Sequence, residues 1–311
     1  MAATVTILIV NYRVAHLVVH SVDKLLSNTA FPSTWQIVIV DNRSDPSEPA
    51  LLRKHAASAL WQGRVHVLEN PTNSGFGAGN NVGFQFVAAQ PGPASDYIYL
   101  LNPDAATDPA SIMALISFMQ AHPACGAATS RIIGDLGEED VASFQFPTPA
   151  REFFSALAYQ YYNPKWRSRF TAPPPIHTTH QTDWVSGASL MLRTRMLASV
   201  GGFDEGFFLY FEETDLLQRA AQQGWQCWYV AEATAHHSAG ASTGLKWAGD
   251  RPPPRPAYWY ESWGYYHLIN HGRLKALWAM ACILAGGALQ WVQRGLRGKV
   301  PGFAQGMLGH I

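Results

Sequence analysis

The chain opens on a β-branched apolar run, TVTILIVN over 4–11, and the same signature returns as WQIVIVDN (35–42), RVHVLEN (64–70) and DYIYLLNPD (96–104). Short runs this apolar predict buried strands. Between them the apolar positions fall at helical spacing, to about residue 27, near 47–60 and near 76–89. DPASIMALISFMQAHP (108–123) starts on Asp and Pro and stops at Pro, as a capped helix does. Strand alternating with helix predicts an α/β fold, a mostly parallel central sheet flanked by helices.

Residues 124–183 are less regular, and APPPIH (172–177) reads as an exposed loop. DWVSGASLMLR (183–193) resumes as a strand, VGGFDEGFF is a turn, and a helix then runs to Gly224. WQCWYVAEATAHH (225–237) reads as one or two strands, RPPPRP (251–256) punctuates the chain, and two helices are expected after it. No internal repeat is present.

Composition narrows the class. The 311 residues are 48% hydrophobic and 14% charged with a net charge of zero, which excludes disorder and gives no support for a nucleic-acid partner. Three widely spaced cysteines, Cys125, Cys227 and Cys282, form neither a zinc spacing nor a disulfide framework and suit a reducing compartment. MAATVTILIVNY has no basic n-region or cleavage site and reads as a first strand rather than a signal peptide.

Ligands of open parallel sheets sit beyond the carboxyl ends of the strands. Three polar clusters fall there: Asn11 with Tyr12, Asp41 with Asn42, and Asn102-Pro103-Asp104. Such residues accept hydrogen bonds from a base or ribose, and they also favour turns. NPTNSGFGAGNNVG (70–83) sets Gly75, Gly77 and Gly79 at a helix entrance, where backbone can approach a ligand and the helix N-terminus favours phosphate oxygens. Its G-x-G-x-G spacing is not the dinucleotide fingerprint and no Gly-Lys-Ser/Thr follows, so neither a Rossmann oxidoreductase nor a P-loop enzyme is supported. Asp104 stands where a hard divalent cation bridges a carboxylate to phosphates. His236 and His237 are either one metal ligand and a bystander, or one buried and one exposed ring. FLYFEETDLLQR (208–219) crowds Glu212, Glu213 and Asp215 at a helix start, which suits the helix dipole and equally a general base.

Together these segments resemble the family 2 glycosyltransferases with the GT-A nucleotide-sugar fold, the rhamnosyltransferase branch in particular, over about residues 4–245. The match rests on VNY, VDNRSDPS, NSGFGAGNNVG, LLNPDA, the long segment from Asp183 to Trp225, and AHHSAGAS, in shared order and spacing. The resemblance implies a catalytic domain over 1–245, its nucleotide-binding half about 1–123 and its acceptor and sugar half about 124–245, with a helical extension over 246–311. It implies Asn11, Tyr12 and Asp41 around the nucleoside, Asp41 facing the base, and Asn73, Gly75 and Asn80 on the ribose and phosphate side. Asp104 takes the last position of the family's Asp-x-Asp metal motif, whose first Asp is here Asn102, on the nucleotide side. His237, with Gly240 and Ser242, fits the pattern H-x-x-G-x-S and takes the second contact to Mn2+ or Mg2+. Trp184 and the turn Ser186-Gly187-Ala188 lie near the donor sugar. An inverting displacement needs a general base, and the resemblance puts it at Glu213, where relatives carry the second acid of Glu-Asp or Asp-Asp. Glu212 either bonds the acceptor or complements the helix dipole. Asp215 is expected to form an exposed i,i+4 pair with Arg219.

The implied activity is transfer of a sugar from a nucleotide-diphospho donor, dTDP-L-rhamnose being one candidate, to a cell-surface polysaccharide or lipid-linked glycan. The alternatives are another donor, such as a UDP-hexose, and an inactive GT-A binding or scaffold module. A paired-carboxylate glycosidase leaves the nucleotide-side motifs unexplained. The segment 274–299 is apolar from Ala276 to Val292 apart from Gln290, with basic residues on both sides and Trp278 and Trp291 near its ends. It is expected to lie on a membrane surface, placing a cytoplasmic enzyme on the inner face of the cell membrane. A true span, packing on the catalytic domain and a homo-oligomer contact are the alternatives.

Overall fold

Apolar side chains leave both faces of β1 (Val5–Asn11): Val5, Ile7 and Ile9 enter one core and Leu8 the other. The computed structural model of the protein describes residues 3–91, 94–157, 176–238 and 255–296. Gly240, Ser242 and the chain beyond 296 lie outside the described residues. After β1 come α1 (Ala15–Leu26), β2 (Gln36–Asp41), α2 (Ser47–Ala56), β3 (Val65–Glu69), α3 (Phe76–Ala89) and β4 (Tyr97–Leu101). Next are β5 (Ala105–Thr107), α4 (Pro109–Ala121), β6 (Cys125–Ile133), β7 (Glu139–Asp140), β8 (Ser143–Phe144) and α5 (Pro149–Leu157). The chain continues through β9 (His180–Thr182), β10 (Trp184–Val185), β11 (Ser189–Arg193), α6 (Thr194–Val200), α7 (Glu212–Gln222), β12 (Gln226–His237) and α8 (Ala257–Leu296).

The main sheet has the order β3-β2-β1-β4-β11-β6-β12-β5. β3, β2, β1 and β4 run parallel, as do β6 and β12, whereas β11 is antiparallel to both its neighbours and β5 to β12. The chain moves outward from β1 through β2 to β3, then returns to place β4 on the other side of β1. That reversal is the switch point at which such sheets bind ligands. Helices α1, α2 and α4 cover one face through Val18, Leu52 and Leu115, and α3, α6 and α7 cover the other through Val87, Leu197 and Leu216.

Two departures from the sequence pattern have physical causes. β6 lies inside the sheet, yet its segment reads as irregular because buried hydroxyls replace apolar side chains. Thr129 donates to the Ser189 carbonyl at 2.7 Å, and Ser130 and Tyr99 both meet the Ser189 hydroxyl at 2.6 Å. The expected single strand 183–193 is divided at Ser186-Gly187-Ala188, whose Ala188 carbonyl accepts from the Asn102 N–H at 3.0 Å. The two expected C-terminal helices are present as α8, broken at Gly272 (φ 80°, ψ 166°).

Candidate active site

A cavity of about 530 Å³ opens at the switch point, beyond the ends of β1, β2 and β4. There the strand termini carry polar residues, some buried beneath the cavity and others lining it. Asn11 and Asp41 are buried: the Asn11 Nδ2 donates to Asp41 Oδ2 at 2.7 Å, and Asp41 Oδ1 accepts from the Ser44 N–H at 2.9 Å. The pair fixes two loops beneath the cavity and does not line it. Tyr12 and Asn42 do. Asn42 Nδ2 reaches Asn73 Oδ1 at 2.9 Å and the Gly75 carbonyl at 3.0 Å, so the asparagines tie β2 to the glycine loop. Asn80 is buried inside α3, its Nδ2 donating to the Phe76 carbonyl at 2.9 Å, away from the cavity.

The glycines of that loop serve chain packing. Gly75 has φ 100°, and a Cβ there would lie 1.9 Å from the carbonyl oxygen of Phe208, which already accepts from the Phe76 N–H at 3.0 Å. Gly79 and Gly83 sit one turn apart against Val10 and Leu8, where an added Cβ would come within 2.9 and 2.4 Å. Close approach to protein, rather than to a ligand, therefore explains these glycines. Gly75 still lines the cavity.

At the floor of the cavity Asp104 and His237 meet, His237 Nε2 lying 3.2 Å from Asp104 Oδ1 and 3.2 Å from Asn102 Nδ2. Strand alternation at the end of β12 decides between the two histidines: His237 lines the cavity and His236 is exposed. A carboxylate beside an imidazole is a donor set suited to Mn2+, and the remaining ligands of such ions are usually substrate oxygens and water. No cluster of three or more His, Cys, Asp or Glu side chains that could cage an ion occurs among the described residues. The pair thus fits a cation whose other ligands come from outside the protein.

The cavity is also lined by the acid pair at the start of α7. Tyr210 and Phe211 enter it with φ of 70° and 68°, a left-handed conformation that costs non-glycine residues about 1–3 kcal/mol each. Contacts to α8 hold it: Ser262 donates to the Leu209 carbonyl at 2.9 Å, and Phe211 packs on Trp259. Glu212 is buried, and the Oε2 atoms of both Glu212 and Glu213 are buried without a hydrogen-bond partner. Burial pushes both carboxyls above the usual range, and the neighbouring Glu213 charge raises Glu212 further. The Gly187 N–H opposes the shift at Glu213 by favouring its ionised form. Two carboxyls whose surroundings separate their pKa values can divide a proton between them.

Asp215 forms the expected pair with Arg219, at 2.8 Å, but the pair is not exposed. Asp215 is 1% exposed and also accepts from Asn270 Nδ2 of α8 at 2.9 Å, while Arg219 donates to the carbonyls of Val200 and Gly202. Asp215→Asn is accordingly expected to cost about 2 kcal/mol, where an exposed helix pair would cost a few tenths. Urea denaturation measures it, and a change within 0.5 kcal/mol would return the residue to a surface role.

Ser186, Gly187 and Ala188 line the cavity between the two ends. Trp184 does not: its ring stacks on Phe144 at 4.3 Å and its Nε1 donates to the Gln145 carbonyl at 3.1 Å, bracing the wall from behind. Lining residues absent from the sequence-based expectation are Val10, Phe76, the segment Phe208–Tyr210, and Tyr258 of α8.

A model of the family described as Glycosyl transferase family 2 matches residues 6–181, more than half of the 311-residue chain. The chain belongs to glycosyl transferase family 2. Within family 2 it is similar to N-acetylglucosaminyl-diphospho-decaprenol L-rhamnosyltransferase of Mycobacterium tuberculosis, 28% identical over 215 residues, 67% of this chain and 68% of that protein. It is 25% identical to rhamnosyltransferase WbbL of Escherichia coli, over 70% of this chain and 78% of that one. Among solved structures, mannosyltransferase PcManGT from Pyrobaculum calidifontis, in complex with GDP-Man and Mn2+, superposes with a TM-score of 0.54 at 15% identity, covering 97% of this chain and 82% of its own. The family 2 chain is thus a glycosyltransferase with the GT-A fold, rhamnosyltransferase-like in sequence.

Proposed function

We propose that the protein is an inverting, cation-dependent transferase that moves a sugar, L-rhamnose in the first instance, from a nucleoside-diphosphate donor to a lipid-linked glycan. The observation that carries this reading is one cavity lined both by Asp104 and His237 and by two carboxyls, Glu212 and Glu213, each with one buried oxygen that has no hydrogen-bond partner. Tyr12, Asn42 and Asn73 are assigned to the nucleoside and ribose, and Asn11 and Asp41 to support beneath them. When bound, Mn2+ or Mg2+ held by Asp104 and His237 would neutralise charge on the departing diphosphate. The small side chains of Ser186-Gly187-Ala188 leave room for the donor sugar. Glu213 takes the proton of the acceptor hydroxyl as that oxygen attacks the anomeric carbon from the side opposite the diphosphate, which inverts the centre. A positioned base of this kind supplies about 10²–10⁴-fold. The buried Glu212, held more firmly in its protonated form, hydrogen-bonds the acceptor.

The choice of rhamnose and of a lipid-linked acceptor is supported by the names of the two similar rhamnosyltransferases; a UDP-hexose is the other donor class. Release of nucleoside diphosphate from dTDP-L-rhamnose and from UDP-hexoses, with Mn2+, tests the reading. Release that depends on both donor and cation is expected, and none from any donor would leave a binding module.

Helix α8 gives this transferase a route to its acceptor. Beyond Gly272, Ala279, Ile283 and Gly286 face the protein and pack towards α5, with Gly286 against the Phe153 carbonyl. On the other side of this half, Leu274, Leu277, Trp278, Leu284, Trp291 and Val292 recur at helical spacing and are exposed. The region Ala257–Gln293 is long and apolar enough to cross a membrane, yet one face of it is occupied by α5. We assign it to the membrane plane at the cytoplasmic surface. Leu277→Glu with Trp278→Glu, both solvent-facing, should abolish sedimentation with anionic phospholipid vesicles without changing the melting temperature. A wild-type protein that stays in the supernatant removes the assignment.

A further inference from the structure

We propose that Tyr258, together with Tyr210 and Phe208, is a stacking platform for the sugar ring of the acceptor, so that α8 supplies part of the acceptor subsite. The inference rests on the reading of Glu213 as the base. A base works within about 2.6–3.2 Å of the proton it takes, so the reacting ring of the acceptor lies within one sugar's width of Glu213. Tyr12, Asn42 and Asn73 line the same cavity, and their loop meets the aromatic segment only at the Phe208 backbone, whose carbonyl accepts from the Phe76 N–H. Beside the acid pair the wall is aromatic: Tyr210 and Tyr258 lie nearly parallel, with centroids 5.9 Å apart and planes 18° apart, and Phe208 meets Tyr258 edge-on at 5.8 Å. A pyranose ring has a face of C–H bonds that leaves water favourably for aromatic carbon, while its hydroxyls stay at the rim. Tyrosine, apolar in body and polar at its tip, matches that surface.

The backbone at Tyr210, with φ 70°, is a conformation few side chains adopt, and it turns this ring onto the cavity wall. Tyr258 stands in the first turn of α8, beyond the 6–181 region that the family model matches. It lies in the part of α8 before the break at Gly272, and the apolar outer stripe follows that break, so successive halves of one element frame the end of the acceptor and face the membrane plane.

The experiment uses saturation-transfer NMR on the full chain with nucleoside diphosphate and Mn2+, probing methyl glycosides of N-acetylglucosamine, galactose and rhamnose. Wild type is expected to give signals from the C–H groups of one ring face in at least one glycoside. Tyr258→Ala should lose them, weakening the glycoside about 3- to 10-fold, the size of an aromatic contact, while donor affinity holds. Tyr258→Phe, which keeps the ring, should retain them and shows that loss in the alanine variant is not misfolding. Signals that persist in Tyr258→Ala, or that are missing for every glycoside in wild type, overturn the inference. Nucleoside-diphosphate release on the same samples separates the two readings: no release from any donor defeats the transferase assignment, and release without a Tyr258-dependent signal defeats this inference alone.

Discussion

Glu213→Gln keeps donor binding and loses transfer, with turnover falling at least about 10²-fold. The substitution preserves size and hydrogen bonding and removes only the ability to hold a proton. Because burial raises the Glu213 carboxyl, the rate should climb with pH through a value above the ordinary carboxylate range. Glu212→Gln replaces a carboxyl that is already held protonated, so it should leave that limb in place and bring a milder loss of rate. It should also stabilise the fold. A carboxyl raised in the folded state binds its proton more tightly there than in the unfolded chain, so its contribution is full below the ordinary carboxylate pKa and is lost as pH rises through the folded value. Glutamine carries no such loss, and Glu212→Gln should melt higher than wild type at neutral pH. Donor affinity by calorimetry, nucleoside-diphosphate release from pH 4 to 9 and thermal melts check the set. Full turnover in the Glu213 variant would move the base elsewhere in the acid cluster.

Asp104→Asn should weaken cation-dependent binding of nucleoside diphosphate by at least about 10-fold, since even partners one step removed from a metal ligand carry 10–100-fold. The side chain is almost fully buried beside His237, and asparagine fits the same volume, so the melting temperature without nucleotide should hardly change. His237→Ala removes a neutral donor rather than a charge and should act in the same direction with a smaller effect. His236→Ala, at an exposed position, should be silent. Titration of nucleoside diphosphate with and without Mn2+ reads all three. A wild-type response to Mn2+ in Asp104→Asn, or a larger loss at His236, would refute the cation assignment.

The strands that were legible in the sequence are those whose burial is apolar. β1, β2 and β4 announce themselves because both faces meet hydrocarbon, whereas β6 hides because Thr129 and Ser130 are satisfied by Ser189. Periodicity cannot register a hydroxyl pair that exists only across strands. At the site, Asp104, His237 and the acid pair could be read because each stands in a local motif. Asp41 and Asn42 are adjacent, and only the fold shows that Asp41 turns to Asn11 beneath the cavity while its neighbour faces it. Tyr258 could not be found, since it reaches the cavity from a helix with no motif and far along the chain. Asp215 was readable as a partner of Arg219 but not as buried, because Asn270 arrives from that same distant helix.

The contact between Gly75 and Phe208 bears on how such enzymes can be recombined. The Phe76 N–H and the Phe208 carbonyl join the glycine loop to the loop that leads into the acid pair, and the Gly75 backbone passes too close to Phe208 for any side chain. β5, from the first half, also closes the far edge of the sheet against β12, from the second. A chimera that grafts residues 1–123 onto a foreign second half would bring one member of each pair without the other. Exchange of donor preference between relatives therefore requires co-inheriting the Phe208 loop and β12 with the grafted segment, and crossovers near residue 123 should yield insoluble hybrids.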